Sequence, residues 1–233
     1  MTSETPDWLG LLRAHTDMFA DIICDAELAA PVTFCPSWSL HDLVVHLGGV
    51  HQWAAHAVVE GHPNFRPEPV ERGRPELAGW YRHHASNLVD VLTQTPADAP
   101  AWTFDDQDPT AGFWRRRQVH ETVMHTWDAE ESLGAPQPID PSLAWDGVLE
   151  VQDVIYPRQV RLGRVEPLDP AVRLVPTDVP GEITLGESTG EGESIVVRDR
   201  AEVLLRLLWH RADPDTEMVD PRAGALLSAA VTP

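Results

Sequence analysis

Residues 39–61 read SLHDLVVHLGGVHQWAAHAVVEG, and this stretch decides the fold. Ser39 can cap a helix N-terminus, and Asp42 three residues on can return the hydrogen bond, a capping box with Asp in place of the usual Glu. The run that follows predicts a helix to about Gly61. Its histidines stand at 41, 46, 51 and 56, steps of five residues that rotate by about 140° each, so they cannot share a face. His46 has Leu43 and Val50 at i−3 and i+4 and Leu47 beside it, which points it inward. His41 and His56 fall toward solvent, and His51 lies between, near Leu47 and Ala54.

Outward from this helix the pattern repeats. Residues 5–29 carry Trp8, Leu11, Leu12, Met18, Phe19, Ile22, Ile23 and Leu28 at close to helical spacing until Pro31. Residues 62–75 hold four prolines and no periodicity, a connector, after which helical patterning resumes until Pro96. A fourth helix is predicted over 110–133, closed by Gly134 and Pro136, and Pro141 opens a fifth with Leu143, Trp145, Leu149, Val151 and Ile155. From about residue 165 the texture changes to short β-branched runs, AVRLVPTD, EITLGE and ESIVVRD, then two compact helical segments, AEVLLRLLWHR and DPRAGALLSAAV. The expectation is a two-domain α+β protein: a helical bundle over 1–160 and a small α+β domain over 161–233.

The chain has 233 residues and a formal charge of −20, from 17 Lys and Arg against 37 Asp and Glu. That balance argues against nucleic acid as a partner, because a phosphate-tracking surface needs a basic patch. The one basic run, Arg115, Arg116 and Arg117, sits inside the fourth helical pattern. Met1 to Trp8 has no basic and apolar leader pattern, and no apolar run approaches the roughly 20 residues that span a bilayer. The expectation is a cytoplasmic protein with no membrane partner. Cys24 and Cys35 have the spacing of neither a redox motif nor a zinc framework, and read as two buried free thiols.

The fourth helix, FWRRRQVHETVMHTWDAEESLG over 113–134, invites comparison with the H-E-x-x-H zinc motif. His120 and His125 are one residue too far apart and lie about 140° apart around the helix, so they cannot chelate one ion together. Glu121 and His125 are i and i+4, which brings a carboxylate and an imidazole to a common point, and Asp128 continues that stripe. They form either an i,i+4 ion pair, or part of a buried hydrogen-bond network, or, with inward His46 from another helix, a three-ligand metal site. Two imidazoles and one carboxylate with an open fourth position is a catalytic zinc arrangement, and the same set can hold iron(II).

CPSWSLHDLVVHLGGVHQWA over 35–54, followed by FWRRRQVHETVMHTWDAE over 113–130, resembles the mycothiol-dependent maleylpyruvate isomerase family. SIVVRDRAEVLLRLLWHR over 194–211 is similar to the C-terminal part of the same family. The resemblance implies a DinB-like four-helix bundle followed by a small α+β domain of sterol-carrier-protein type. It implies a divalent metal, zinc foremost, on His46, Glu121 and His125, and a functional arginine whose nearest match is Arg211. It also implies mycothiol as cosubstrate and a small electrophile as substrate. Zinc on two neutral imidazoles and one carboxylate keeps positive charge, so a thiol reaching it would lose its proton near neutral pH. Addition followed by elimination gives isomerisation, and retention of the conjugate gives S-transfer.

Two other readings use the same residues. A metal-dependent hydrolase would use zinc-bound hydroxide and an inward general base such as His51 or Asp128. A non-enzymatic small-molecule binder would use the bundle as a pocket lined by Trp38, Trp53, Trp114 and Trp127.

Overall fold

The structure is a computed structural model that describes residues 6–67, 70, 74–187, 194–214, 220–229 and 231–233. The first five residues read for a leader, part of the 62–75 connector and the residues between the second and third β-branched runs lie outside the described residues. The chain divides into two units, Met1–Gln137 and Pro138–Pro233.

The first unit is a bundle of α1 (Trp8–Asp25), α2 (Leu40–Glu60), α3 (Arg74–Gln94) and α4 (Ala111–Ser132). Local chemistry sets the start of α1 and both ends of α2. Asp7 accepts from the Gly10 amide at the start of α1, and Ser39 and Asp42 form the anticipated reciprocal capping box on α2. Gly61 closes α2 in the left-handed region, φ 70°. α2 packs between α3 and α4, and α1 packs on α3 and α4 from the other side. Phe19, Ile23, Leu40, Leu43, Leu47, Leu77 and Tyr81 fill the core where α1, α2 and α3 meet. At Gly48 an added Cβ would run into the Trp80 ring, so this glycine lets α2 and α3 approach closely.

Between α1 and α2 the loop folds back on itself. Pro31 and Ser39 bridge in antiparallel fashion, and the amide of Val32 donates to the Trp38 carbonyl at 2.9 Å. Trp38 is thereby fixed two residues before the helix that carries His46.

The second unit holds α5 (Pro141–Glu150), a π-helical turn (Val151–Ile155) and α6 (Tyr156–Arg161), where the sequence predicts one uninterrupted helix. A three-stranded sheet follows in the order β2 (Ile183–Leu185), β1 (Val172–Pro176), β3 (Ile195–Asp199). β1 pairs antiparallel with β2, Val172 opposite Leu185, and parallel with β3, Val172 opposite Ile195. α7 (Ala201–Leu208) and α8 (Pro221–Leu227) complete the unit. The α+β architecture is as expected, but the boundary differs: it falls at residues 137/138 rather than near 160. α5 lays its buried Leu143, Ala144 and Val148 into the unit that contains α7, against which it packs, so the fifth helix is not part of the bundle.

Among the described residues no helix is long and apolar enough to cross a membrane. Cys24 and Cys35 are not joined in a disulfide, and are half-buried rather than buried.

Candidate metal centre

α4 is buried on several sides, and its polar residues therefore need partners. Glu121 finds three. One carboxylate oxygen, Oε1, lies 3.3 Å from His46 Nε2 of α2 and 3.3 Å from His125 Nε2 one turn along α4. The other, Oε2, accepts from the Arg117 guanidinium at 2.6 Å. The two imidazoles stand nearly perpendicular, with ring centroids 5.0 Å apart. His125 Nδ1 is held by Asp128 Oδ2 at 3.0 Å, which fixes the ring so that Nε2 faces the carboxylate. Trp38 packs against the His46 ring, centroids 4.7 Å apart.

The electrostatics follow from these contacts. Burial pushes the Glu121 pKa up, but hydrogen bonds with His125 and His46 and the Arg117 charge bring it well below the usual carboxylate range. Burial works against a charged His125, yet the hydrogen bonds and charges of Asp128 and Glu121 prevail and raise its pKa to about 9. Three convergent ligand atoms thus share protons that a cation can replace.

The donor set fits a divalent ion of the zinc type. The ligand atoms of His46, Glu121 and His125 all lie within 4.8 Å of one another. Bonds of about 2.0–2.1 Å around a tetrahedral ion put neighbouring ligand atoms about 3.3 Å apart, the spacing of each histidine from Glu121. Among the described residues this is the one group of three or more ligating side chains with such convergence. His120 is elsewhere, its ring 5.7 Å from that of Trp8 on α1, in line with the rejection of an H-E-x-x-H reading.

The two inner histidines of α2 lie differently from the expectation. His46 is not a core residue: its side chain is 36% exposed, so it forms the open edge of the site. His51, placed between faces by the sequence, is fully buried in the seam between helices. Its Nδ1 lies 2.8 Å from Gln118 Oε1 of α4 and its Nε2 3.3 Å from the Tyr81 hydroxyl of α3. Burial lowers its pKa to about 4 despite the hydrogen bond to Gln118. With both ring nitrogens engaged, His51 is not positioned as a general base, and Asp128 is committed to His125.

Residues 9–130, more than half of the chain, match the family described as the mycothiol maleylpyruvate isomerase N-terminal domain. The chain belongs to this family. Two solved structures share the fold of this mycothiol maleylpyruvate isomerase family member over 89% of its length and 90% of theirs. One is a crystal structure of the mycothiol-dependent maleylpyruvate isomerase, TM-score 0.63, and the other a histidine-to-alanine variant of it, TM-score 0.61, each 15% identical. No curated protein is similar enough in sequence to count as a match.

Arg211 lies in the second unit, just beyond α7. It is buried and donates through Nη1 to the Trp209 carbonyl at 2.6 Å. The preceding His210 has a positive φ of 58° and its Nε2 lies 3.1 Å from the Leu227 carbonyl, which turns the chain after the helix. Of the four tryptophans considered as pocket lining, Trp114 and Trp127 are core residues. Trp53 faces a cleft next to His46, and Trp38 covers His46. The sequence reading did not single out Arg117 as the partner of Glu121, although the i,i+4 spacing within RRRQVHE carried that signal.

Proposed function

We propose that this protein catalyses the addition of a low-molecular-weight thiol, mycothiol, to a small electrophile, with isomerisation or S-conjugation as the outcome. The observation that carries the proposal is the convergence of His46 Nε2 and His125 Nε2 on one oxygen of Glu121, in a chain of this family. A zinc-type ion held by these three residues supplies positive charge that favours thiolate over thiol near neutral pH.

The chain's own residues divide the remaining work. Arg117 occupies the second oxygen of Glu121, so the carboxylate presents a single atom to the histidines. Asp128 sets the tautomer and angle of His125. His46, half-exposed, marks where small molecules reach the site. Neither cysteine belongs to the cluster, and Cys24 accepts a hydrogen bond from Arg82 of α3; the nucleophilic sulfur is therefore brought by the cosubstrate. Arg211 is proposed to hold an acidic group of the substrate through its planar guanidinium. The protein is proposed to act in the cytoplasm.

In the reaction the thiol sulfur bonds to one carbon of an activated double bond while the proton it gave up is taken by the neighbouring carbon. Reversal after bond rotation returns the thiol and gives isomerisation; no reversal gives the conjugate. A hydroxide-based hydrolysis would need a general base at the site, and both groups suited to it, His51 and Asp128, are engaged in holding other side chains.

The test is turnover of maleylpyruvate and other activated alkenes with and without mycothiol. Mycothiol-dependent product, retained when Cys24 and Cys35 are both changed to serine, is the expected result. Full activity in thiol-free buffer would overturn the proposal in favour of hydrolysis.

A further inference from the structure

A cleft of about 410 Å³ opens beside His46, wholly within the first unit. That volume is in the range of small-molecule sites. Its walls are apolar: Val45, Val50, Trp53, Phe65 and Trp80 line it together with Gly49 and two prolines. His46 is the single titratable residue among them, and it is also a member of the metal centre.

We infer that this cleft receives the apolar part of the electrophile, an uncharged group of about the size of a phenyl ring, and that any acidic group of the substrate is bound outside it. The inference rests on the proposed thiol addition and names the substrate class for it. Among the described residues no Lys or Arg lines the cleft, in a chain of formal charge −20. A compact dicarboxylate would lose hydration there with nothing to replace it. An apolar group instead releases water from aromatic walls, at about 0.8 kcal/mol per buried methylene equivalent.

The aromatic walls are also held in place. Trp53 donates its indole N–H to the Pro63 carbonyl at 3.3 Å. Its ring stacks parallel to Phe104 and edge-on to Trp114. A wall fixed this way loses little freedom when a flat ligand packs on it. The sugar body of mycothiol, rich in hydroxyls, finds few polar partners in this lining, so the cleft serves the electrophile rather than the thiol. For an aryl enone the thiol sulfur bonds to the β-carbon, the π electron pair moves toward the carbonyl oxygen, and the α-carbon takes the proton released by the thiol.

Gly49 gives a direct probe, because a Cβ added there meets no atom within 4 Å. Leucine at this point projects into open space and fills the cleft. The experiment uses the zinc-loaded full chain and calorimetric titration with benzylacetone and with succinate, unreactive mimics of an aryl enone and of a dicarboxylic alkene. Benzylacetone is expected to bind at least about tenfold more tightly than succinate, and Gly49→Leu to weaken it by about tenfold or more at unchanged zinc content. Val50→Phe, a second way to fill the cleft, is expected to do the same. Succinate binding as tightly as benzylacetone, or benzylacetone affinity unchanged in both variants, would overturn the inference. Turnover of benzalacetone with mycothiol separates the two claims. Binding of benzylacetone without such turnover supports the cleft and counts against thiol addition. Mycothiol-dependent turnover of maleate with no benzylacetone binding overturns the cleft alone.

Discussion

Arg117, buried, and Glu121, 15% exposed, form an i,i+4 ion pair, with the guanidinium nitrogen 2.6 Å from one carboxylate oxygen. The pair leaves the second oxygen to two histidines, so the same arginine compensates the carboxylate charge and, on the proposed function, would leave that one atom to a metal. Breaking one side of a buried pair costs about 3–5 kcal/mol when the remaining charge is left uncompensated. Arg117→Gln is therefore expected to destabilise metal-free protein by about 3 kcal/mol, and the zinc-loaded protein by clearly less, since the ion compensates Glu121. Urea unfolding with and without zinc measures both; equal losses in the two states would contradict this role.

His51 should make the bundle sensitive to acid. The folded chain keeps this histidine neutral, with its pKa lowered from 6.5 to about 4 by burial. A depressed pKa means the unfolded chain binds the proton first. The contribution is complete above pH 6.5 and is lost as the pH falls toward 4, amounting to about 3 kcal/mol. The measurement is the NMR titration of the His51 ring beside urea unfolding from pH 7 to 4. A ring that titrates near 6.5 would refute the assignment.

Adjacent glycines in α2 should respond in opposite directions. A Cβ at Gly48 strikes the Trp80 ring, whereas one at Gly49 meets open space. Alanine gains about 1 kcal/mol over glycine in helix propensity, and overpacking costs about 1–3 kcal/mol. Gly48→Ala should thus lower stability by about 1 kcal/mol net, and Gly49→Ala should raise it by up to about 1 kcal/mol. Thermal melts that shift alike would show that α2 and α3 are not in such close contact.

Much of this architecture could be read from particular residues. Ser39 and Asp42 announced the start of α2, and the β-branched runs at 172–176, 183–185 and 195–199 announced all three strands. The ownership of α5 could not be read, because an apolar face states that a helix is buried but not against what; its partner α7 lies some fifty residues away. The same limit applies to His46 and His51. Helical geometry placed them about 140° apart, but α2 has neighbours on two sides, so the seam toward Tyr81 and Gln118 buries His51 while the edge near Trp38 leaves His46 half-open. Glu121 and His125 were legible because one helix sets their separation. Their third partner came from another helix, and only the fold brings it to 3.3 Å.

Arg211 carries the expectation for an acidic substrate group. Arg211→Lys keeps the charge but loses the planar fork. For a substrate bearing a carboxylate, kcat/KM should fall by about tenfold or more, while a neutral alkene should be affected little. Identical kinetics with both substrate types would remove Arg211 from substrate recognition.

The metal content of purified variants decides whether His46, Glu121 and His125 hold an ion. Wild-type protein and His120→Ala should each carry one zinc-type ion per chain, because His120 packs on Trp8 away from the cluster. His125→Ala should lose it and His46→Ala should hold it far more weakly, since each removes one of the three convergent donors His46, Glu121 and His125. Full occupancy in both His46→Ala and His125→Ala would contradict the account.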